Sequence, residues 1–238
     1  MRRLIHIVHL YPKEMNIYGD TGNTLVLQKR LEWRGISTKI SYVGIGEDFP
    51  DEVDMVIGGG GQDAGQNKIQ ADLQKKADAL NKMVEKGVVM LMVCGMYQLF
   101  GRSFKTSDGN EIKGIGILPL ETSAGPNRYI GNTLYKTPFG DFVGYENHSG
   151  ITMLDSPEFA FGSVLQGAGN NGQDSTEGCI KYNVYGTYSH GPVLSKNPRF
   201  ADLLLDIAIS LKYPGEKLEP LDDSLEEKAY QFAIKRPR

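Results

Sequence analysis

The chain has 238 residues, 40% of them hydrophobic, enough for a substantial core in one domain. Its net charge is −3, and no block of like charge precedes the closing KRPR, which argues against a nucleic-acid or membrane-surface footprint. Two cysteines, Cys94 and Cys179, cannot build a disulfide framework, and no apolar run reaches the length of a membrane span. A cytoplasmic protein without a transmembrane segment is expected.

The opening MRRLIHIVHLYP carries two arginines before a short apolar run. It holds His6 and His9 and lacks a small-residue cleavage site, so it reads as a strand over 4–11 and not as a signal peptide. Residues 23–35 place Leu27, Leu31 and Trp33 at helical spacing and stop at Gly35, and 36–44 return to β-branched alternation. Next comes VDMVIGGGG (53–61), a continuous apolar strand running into glycines. A helix is predicted over 71–87, with Leu73, Ala77, Leu80 and Val84 on one face and Gly87 as its stop. VVMLMV (88–93) has no polar alternation, as expected of a strand buried on both faces of a parallel sheet. This βαβαβ rhythm predicts an α/β fold with an open, mostly parallel sheet covered by helices.

Beyond residue 101 the pattern changes. Gly, Pro, Asn and Asp punctuate short strand-like pieces at 110–118, 128–135, 141–148, 159–166 and 179–189, which predicts antiparallel additions. SDGN (107–110) and TPFG (137–140) have the composition of hairpin ends. Helices are expected over 200–213 and 224–235, the second in a C-terminal extension from about 214, and no repeat or linker divides the chain.

Ligands of open α/β sheets collect outside the carboxyl ends of the strands, and Cys94 stands at such an end. If Gly95–Gly101 turns into a helix, strand, sharp turn and helix form a nucleophile elbow, and the helix start favours a thiolate. The competing reading is a small buried hydrophobe, which is how Cys179 is read. The glycines of IGGGGQD (57–63) let backbone approach a ligand and present N–H groups to an oxyanion. They lack the Gly-Lys-Ser/Thr ending of a phosphate loop, and a bare turn is the alternative. For the base, His190 in YGTYSHGPVL and His148 in GYENHSG both stand at the ends of strand-like stretches, and chain order does not choose between them. The four histidines and two cysteines show no ligand spacing, so no metal site is expected.

Cys94-Gly-Met-Tyr-Gln98-Leu-Phe-Gly101, the glycine turn at 58–61 and Tyr188-Ser-His190-Gly-Pro192 together resemble the class I, triad-type glutamine amidotransferases of the cobyric-acid-synthase branch, whose fold is flavodoxin-like. Asn16-Ile-Tyr-Gly-Asp-Thr-Gly-Asn23, Asn127-Arg128 and Gly144-Tyr-Glu-Asn-His148 narrow the resemblance to GatD-like glutaminase subunits of lipid II isoglutaminyl synthases, over about residues 4–213.

The resemblance implies Cys94 as nucleophile, His190 as acid and base, and backbone N–H groups of Gly59, Gly60 and Gly95 as the oxyanion hole. It also implies Gln98 and Arg128 at the substrate glutamine, a guanidinium being suited to a carboxylate. It implies no cofactor in this chain. ATP and Mg²⁺ would be used by a Mur-ligase-like (MurT-like) partner in a heterodimer, which amidates the D-glutamate α-carboxyl of lipid II and brings the pair to the inner face of the membrane. Absence of a phosphate loop agrees with that division.

Two positions depart from the family pattern. Pro192 stands where many triad enzymes carry the glutamate that orients the histidine, so the acid is expected from the partner or from Glu146; Met96 stands where glycine is frequent. Competing readings are a subunit serving another ligase, such as a corrin-amidating enzyme, a free-standing cysteine hydrolase, and a catalytically silent scaffold.

Overall fold

The structure, a computed structural model, describes residues 3–236. Its first half alternates as the periodicity predicts: β1 (Leu4–Leu10), α1 (Thr21–Glu32), β2 (Ser37–Val43), β3 (Met55–Gly58), α2 (Asp63–Glu85), β4 (Val89–Val93) and the short α3 (Gly95–Phe100). Gly35 and Gly87 follow α1 and α2 with φ of +68° and +81°, a conformation that ends a helix at little cost only for glycine. Helix α2 begins eight residues before the predicted start. Its first turns are polar, and Gly65 lies inside it because a methyl there would come 2.9 Å from Glu14 O. Trp33, placed on the core face by spacing, is the C-cap of α1 and 60% exposed.

The second half runs β5 (Ser103–Lys105), β6 (Glu111–Lys113), β7 (Leu120–Thr137), β8 (Gly140–Leu154), β9 (Gly162–Gln166), β10 (Thr176–Glu177), β11 (Cys179–Lys181), β12 (Val184–Thr187), α4 (Val193–Lys196), α5 (Pro198–Lys212) and α6 (Ser224–Ile234). Two open sheets result. One has the order β11-β12-β4-β3-β1-β2 and is parallel except at the β11 edge. The other has the order β10-β9-β7-β5-β6, with β8 paired to β7. Most of the antiparallel strands thus form a sheet of their own. SDGN and TPFG do sit at hairpin ends, joining β5 to β6 and β7 to β8.

Every residue of β4 is buried, the central position its unbroken apolar sequence demands. Each buried valine, leucine or methionine there stabilises the fold by about 1.5–3 kcal/mol. One cluster of buried apolar side chains joins this strand to Phe104, Leu120, Phe142 and Phe161 of the second half. At the C-terminal end, Arg30 of α1 bonds both Asp202 of α5 and Asp223 before α6 at 2.6–2.8 Å. Helix α6 itself buries no side chain, and Leu225 and Phe232 on it are exposed.

Register decides where the chemistry lies. Leu10 pairs with Gly58, Gly58 with Met92, and Thr187 with Val93. The chain therefore leaves β1, β3, β4 and β12 at one edge of the sheet, which brings together the segment after Tyr11, the glycine turn, Cys94 and residues 188–192. The second sheet joins there through a bridge between Tyr145 and His190.

Candidate active site

Cys94 adopts φ +50° and ψ −103°, a region costly for any residue with a side chain and held only when the surroundings enforce it. Three backbone bonds do so. Cys94 N–H donates to Thr187 O at 2.8 Å, Gln98 N–H donates to Cys94 O at 3.0 Å, and Met96 N–H donates to Gly59 O at 3.3 Å. The predicted elbow is therefore formed, and the fully buried Met96 fits where glycine is frequent. The cysteine is 6% exposed. Burial first, and then the nearby Asp20 charge, push its thiol up to about 12, while the Gly95 N–H and Arg128 pull the other way.

The glycine turn differs from the sequence expectation. Gly60 N–H donates to the buried Asp20 Oδ2 at 2.7 Å, so this amide is not turned toward an oxyanion. Gly59 is closely enclosed: a methyl on it would come 2.3 Å from Met15 O and 2.6 Å from Asp20 Cβ. Gly61 is the residue of the turn that lines the cavity, and its N lies 3.0 Å from where a Gly95 methyl would stand. The Gly95 N–H lies beside the sulfur, where it lowers the thiol pKa, and Gly61 borders the same cavity. The Gly60 Cα instead fills the gap between the reacting groups. A methyl there would lie 2.8 Å from His190 Cε1, 3.2 Å from Tyr18 Cδ2 and 3.4 Å from Cys94 Cβ.

That close approach also separates the two histidines. His190 faces Cys94 across Gly60, its backbone N–H fixed on Tyr145 O at 2.8 Å. His148 forms another wall, stacked on the Tyr188 ring at 3.6 Å with Nδ1 3.0 Å from Gly150 O. His190 is 1% exposed, and neither ring nitrogen has a hydrogen-bond partner among the described residues. Burial, reinforced by His148 and Arg128, lowers its pKa to about 3. Among the described residues no acid hydrogen-bonds the ring: the Glu146 carboxylate accepts the Ala168 and Gly169 amides at 3.0–3.2 Å, and Pro192 packs on Gly22.

A cavity of about 370 Å³ opens above the sulfur, within the range of small-ligand sites. Gln98 is part of its wall, with Oε1 accepting Gln66 Nε2 at 2.9 Å and Nε2 donating to Tyr188 Oη at 3.1 Å. Arg128 reaches the mouth because the β7–β8 ladder shifts register between Ala124 and Tyr129, where four residues stand against Ser149 alone. Its Nε donates to Asn147 Oδ1 at 2.7 Å and its Nη2 to Tyr18 Oη at 3.1 Å. Gln66, Tyr18 and Asp20 were not identified individually from sequence; the Asn16–Asn23 motif was the available signal for the last two. Among the described residues, no group of three His, Cys, Asp or Glu is placed to hold a metal ion, and no helix is long and apolar enough to cross a membrane.

A strained cysteine, a histidine across a glycine and a guanidinium at the mouth suit nucleophilic attack on an amide carbonyl. Comparisons with known proteins agree. The family model of the CobB/CobQ-like glutamine amidotransferase domain matches residues 6–198. The chain is 37% identical over 234 residues to the lipid II isoglutaminyl synthase (glutamine-hydrolysing) subunit GatD of Staphylococcus aureus, covering 97% of this chain and 95% of that one. It is 36% identical over 213 residues to the subunit of the same name from Streptococcus pneumoniae, covering 88% and 82%. A solved glutamine amidotransferase structure shares the fold, with a TM-score of 0.57 at 15% identity over 84% of this chain and 98% of that one.

Proposed function

Because the chain belongs to the CobB/CobQ-like glutamine amidotransferase family, we propose that it is the glutamine-hydrolysing subunit of a lipid II isoglutaminyl synthase. The observation that carries this reading is the meeting of Cys94 and His190 across Gly60, in a chain that aligns with GatD subunits along most of their length.

The Cys94 thiol gives its proton to His190, and its sulfur attacks the side-chain carbonyl carbon of glutamine, whose α-carboxylate is held by Arg128. The Gly95 and Gly61 amides hold the resulting oxyanion; one such donor is worth roughly 100-fold or more in rate. As the tetrahedral intermediate collapses, the C–N bond breaks and His190 returns the proton to the departing nitrogen, releasing ammonia. His190 then takes a proton from water, hydroxide adds to the thioester, and glutamate leaves as Cys94 is reprotonated. Gln98 shapes the wall beside the substrate.

Ammonia passes to a Mur-ligase-like (MurT-like) partner that binds ATP and Mg²⁺ and activates the D-glutamate α-carboxyl of the lipid II stem peptide, giving D-isoglutamine. This chain works in the cytoplasm and reaches the membrane face through that partner. With the thiol pKa raised and the imidazole pKa lowered by burial, proton exchange between Cys94 and His190 is disfavoured, and low activity of the isolated subunit is expected. The His190 ring is buried without an acid beside it, so an acid supplied on docking, once the segments covering the ring give way, raises its basicity and starts the cycle.

The test is ammonia release from glutamine by the chain and its Cys94→Ser variant, each with and without the co-expressed ligase. Release that needs Cys94 and rises sharply with the ligase is expected. No release in any arm would return Cys94 to a structural role and favour a scaffold subunit.

A further inference from the structure

The Asn16–Asn23 segment carries a side chain that the reaction above leaves unused. Tyr18 is half-buried and lines the same cavity as Cys94, Gln98 and Arg128. Its ring centroid lies 4.2 Å from that of His190, tilted by 46°. Its hydroxyl oxygen accepts Arg128 Nη2 at 3.1 Å. One aromatic side chain thus touches both the base and the cation at the cavity mouth.

The backbone holds Tyr18 there. Ile17 N–H donates to Gly60 O at 3.1 Å and Gly60 N–H donates to Asp20 Oδ2 at 2.7 Å, so both polar groups of Gly60 grip the residues flanking Tyr18. Asn16 Oδ1 closes the loop by accepting Thr21 N–H at 2.8 Å. Arg128 is fixed on two edges, by Asn147 and by Tyr18, and its Nη1 has no partner among the described residues. Since the tyrosine oxygen accepts from the guanidinium, the phenolic proton remains to be donated, and the described residues offer it no acceptor. A cation and an O–H donor side by side, facing one cavity, are a paired receptor for a carboxylate.

We propose that Tyr18 is a second substrate-binding residue, its hydroxyl sharing the α-carboxylate of glutamine with Arg128 while its ring seals one face of His190. The proposal rests on the glutamine reading above and goes beyond it by assigning two separable contributions to one side chain. The hydroxyl acts on substrate affinity. The ring keeps water from the base.

The experiment uses the subunit purified with its ligase partner and two amides as substrates: L-glutamine, and L-glutaminamide, in which the α-carboxylate is replaced by a neutral amide. Tyr18→Phe keeps the ring and its packing. It is expected to raise KM for glutamine about tenfold, the scale of one hydrogen bond to a charged group, with kcat changed less than twofold. Its kcat/KM for glutaminamide is expected to fall much less, because the neutral amide oxygen accepts a weaker hydrogen bond than the carboxylate.

Tyr18→Leu is expected to lower kcat as well and to move the His190 imidazole titration, followed by NMR, upward toward its ordinary value. The titratable and charged groups facing that ring, Cys94, His148 and Arg128, are unchanged in the variant. An unaltered KM for glutamine in Tyr18→Phe, or an equal loss on both substrates, would overturn the shared clamp. An unmoved His190 titration in Tyr18→Leu would overturn the seal. Absence of Cys94-dependent ammonia release from glutamine by the unaltered complex would instead defeat the glutamine reading, and this proposal with it.

Discussion

Asp20 and Gly60 are joined by a 2.7 Å hydrogen bond from the glycine amide to a fully buried carboxylate, 40 residues apart in sequence and directly behind the reacting groups. Burial raises the Asp20 carboxyl to about 6, against the pull of the Gly60 amide. Between pH 4 and 6 the unfolded chain gives up this proton before the folded chain does, so stability falls as pH rises through that window. Asp20→Asn keeps an oxygen for Gly60 and removes the charge. In urea unfolding at pH 7.5 it should be more stable than the parent by about 1–3 kcal/mol, with the difference gone by pH 4. Iodoacetamide should also alkylate its Cys94 faster, because Asp20 opposes the thiolate; equal rates would show that the charge does not reach the sulfur.

Gly60 tolerates no side chain. A methyl 2.8 Å from His190 Cε1 must displace the imidazole or the Tyr18 ring. Gly60→Ala is expected to keep its circular-dichroism spectrum while losing at least about 100-fold in glutaminase kcat, in line with a misplaced base. Near-parental kcat would show that the imidazole has room to move aside.

Glu177 braces the catalytic strand from behind. Its buried Oε1 accepts the Thr187 hydroxyl and, at 3.1 Å, the Tyr188 N–H, while Thr187 O holds the Cys94 amide. Burial raises this carboxyl to about 7. Glu177→Gln retains an acceptor and should keep kcat within a few-fold. Glu177→Ala frees the 187–190 segment and should lower kcat by about 10–100-fold with little change in glutamine affinity, measured by calorimetry on Cys94→Ser backgrounds. A drop in affinity matching the drop in kcat would assign Glu177 to overall folding.

His9 contributes acid sensitivity. It is fully buried in β1 with no hydrogen bond to either ring nitrogen, and burial lowers its pKa to about 4. Below pH 6.5 the unfolded chain binds this proton and the folded chain does not, so the His9 contribution to stability declines from pH 6.5 down to about 4, by about 3 kcal/mol in all, opposing the Asp20 contribution over the same range. Relative to the parent, His9→Phe should be more stable at pH 4.5 than at pH 7 in urea titrations; an equal pH dependence in the two proteins would place the sensitivity in other groups.

The parallel core was legible because Val89–Val93 lacks alternation and the Gly35 and Gly87 stops bracket the helices. The elbow was legible because an apolar strand ended in Cys94-Gly95. What sequence did not yield depends on distance in the chain. Gly59, Gly60 and Gly61 look alike in a run of glycines, and only the Asp20 carboxylate, 40 residues earlier, decides which amide turns away from the cavity. His148 and His190 are told apart only by the register of two sheets. Trp33 has helical spacing for the core, yet the helix ends before its side chain can turn inward.

The sealed sulfur has a consequence for the lifetime of the enzyme. Peroxide attacks thiolates, and a cysteine pushed up to about 12 at 6% exposure offers very little of that form in the resting subunit. Slow conversion of Cys94 to sulfenic and then irreversible sulfinic acid is therefore expected in the resting subunit.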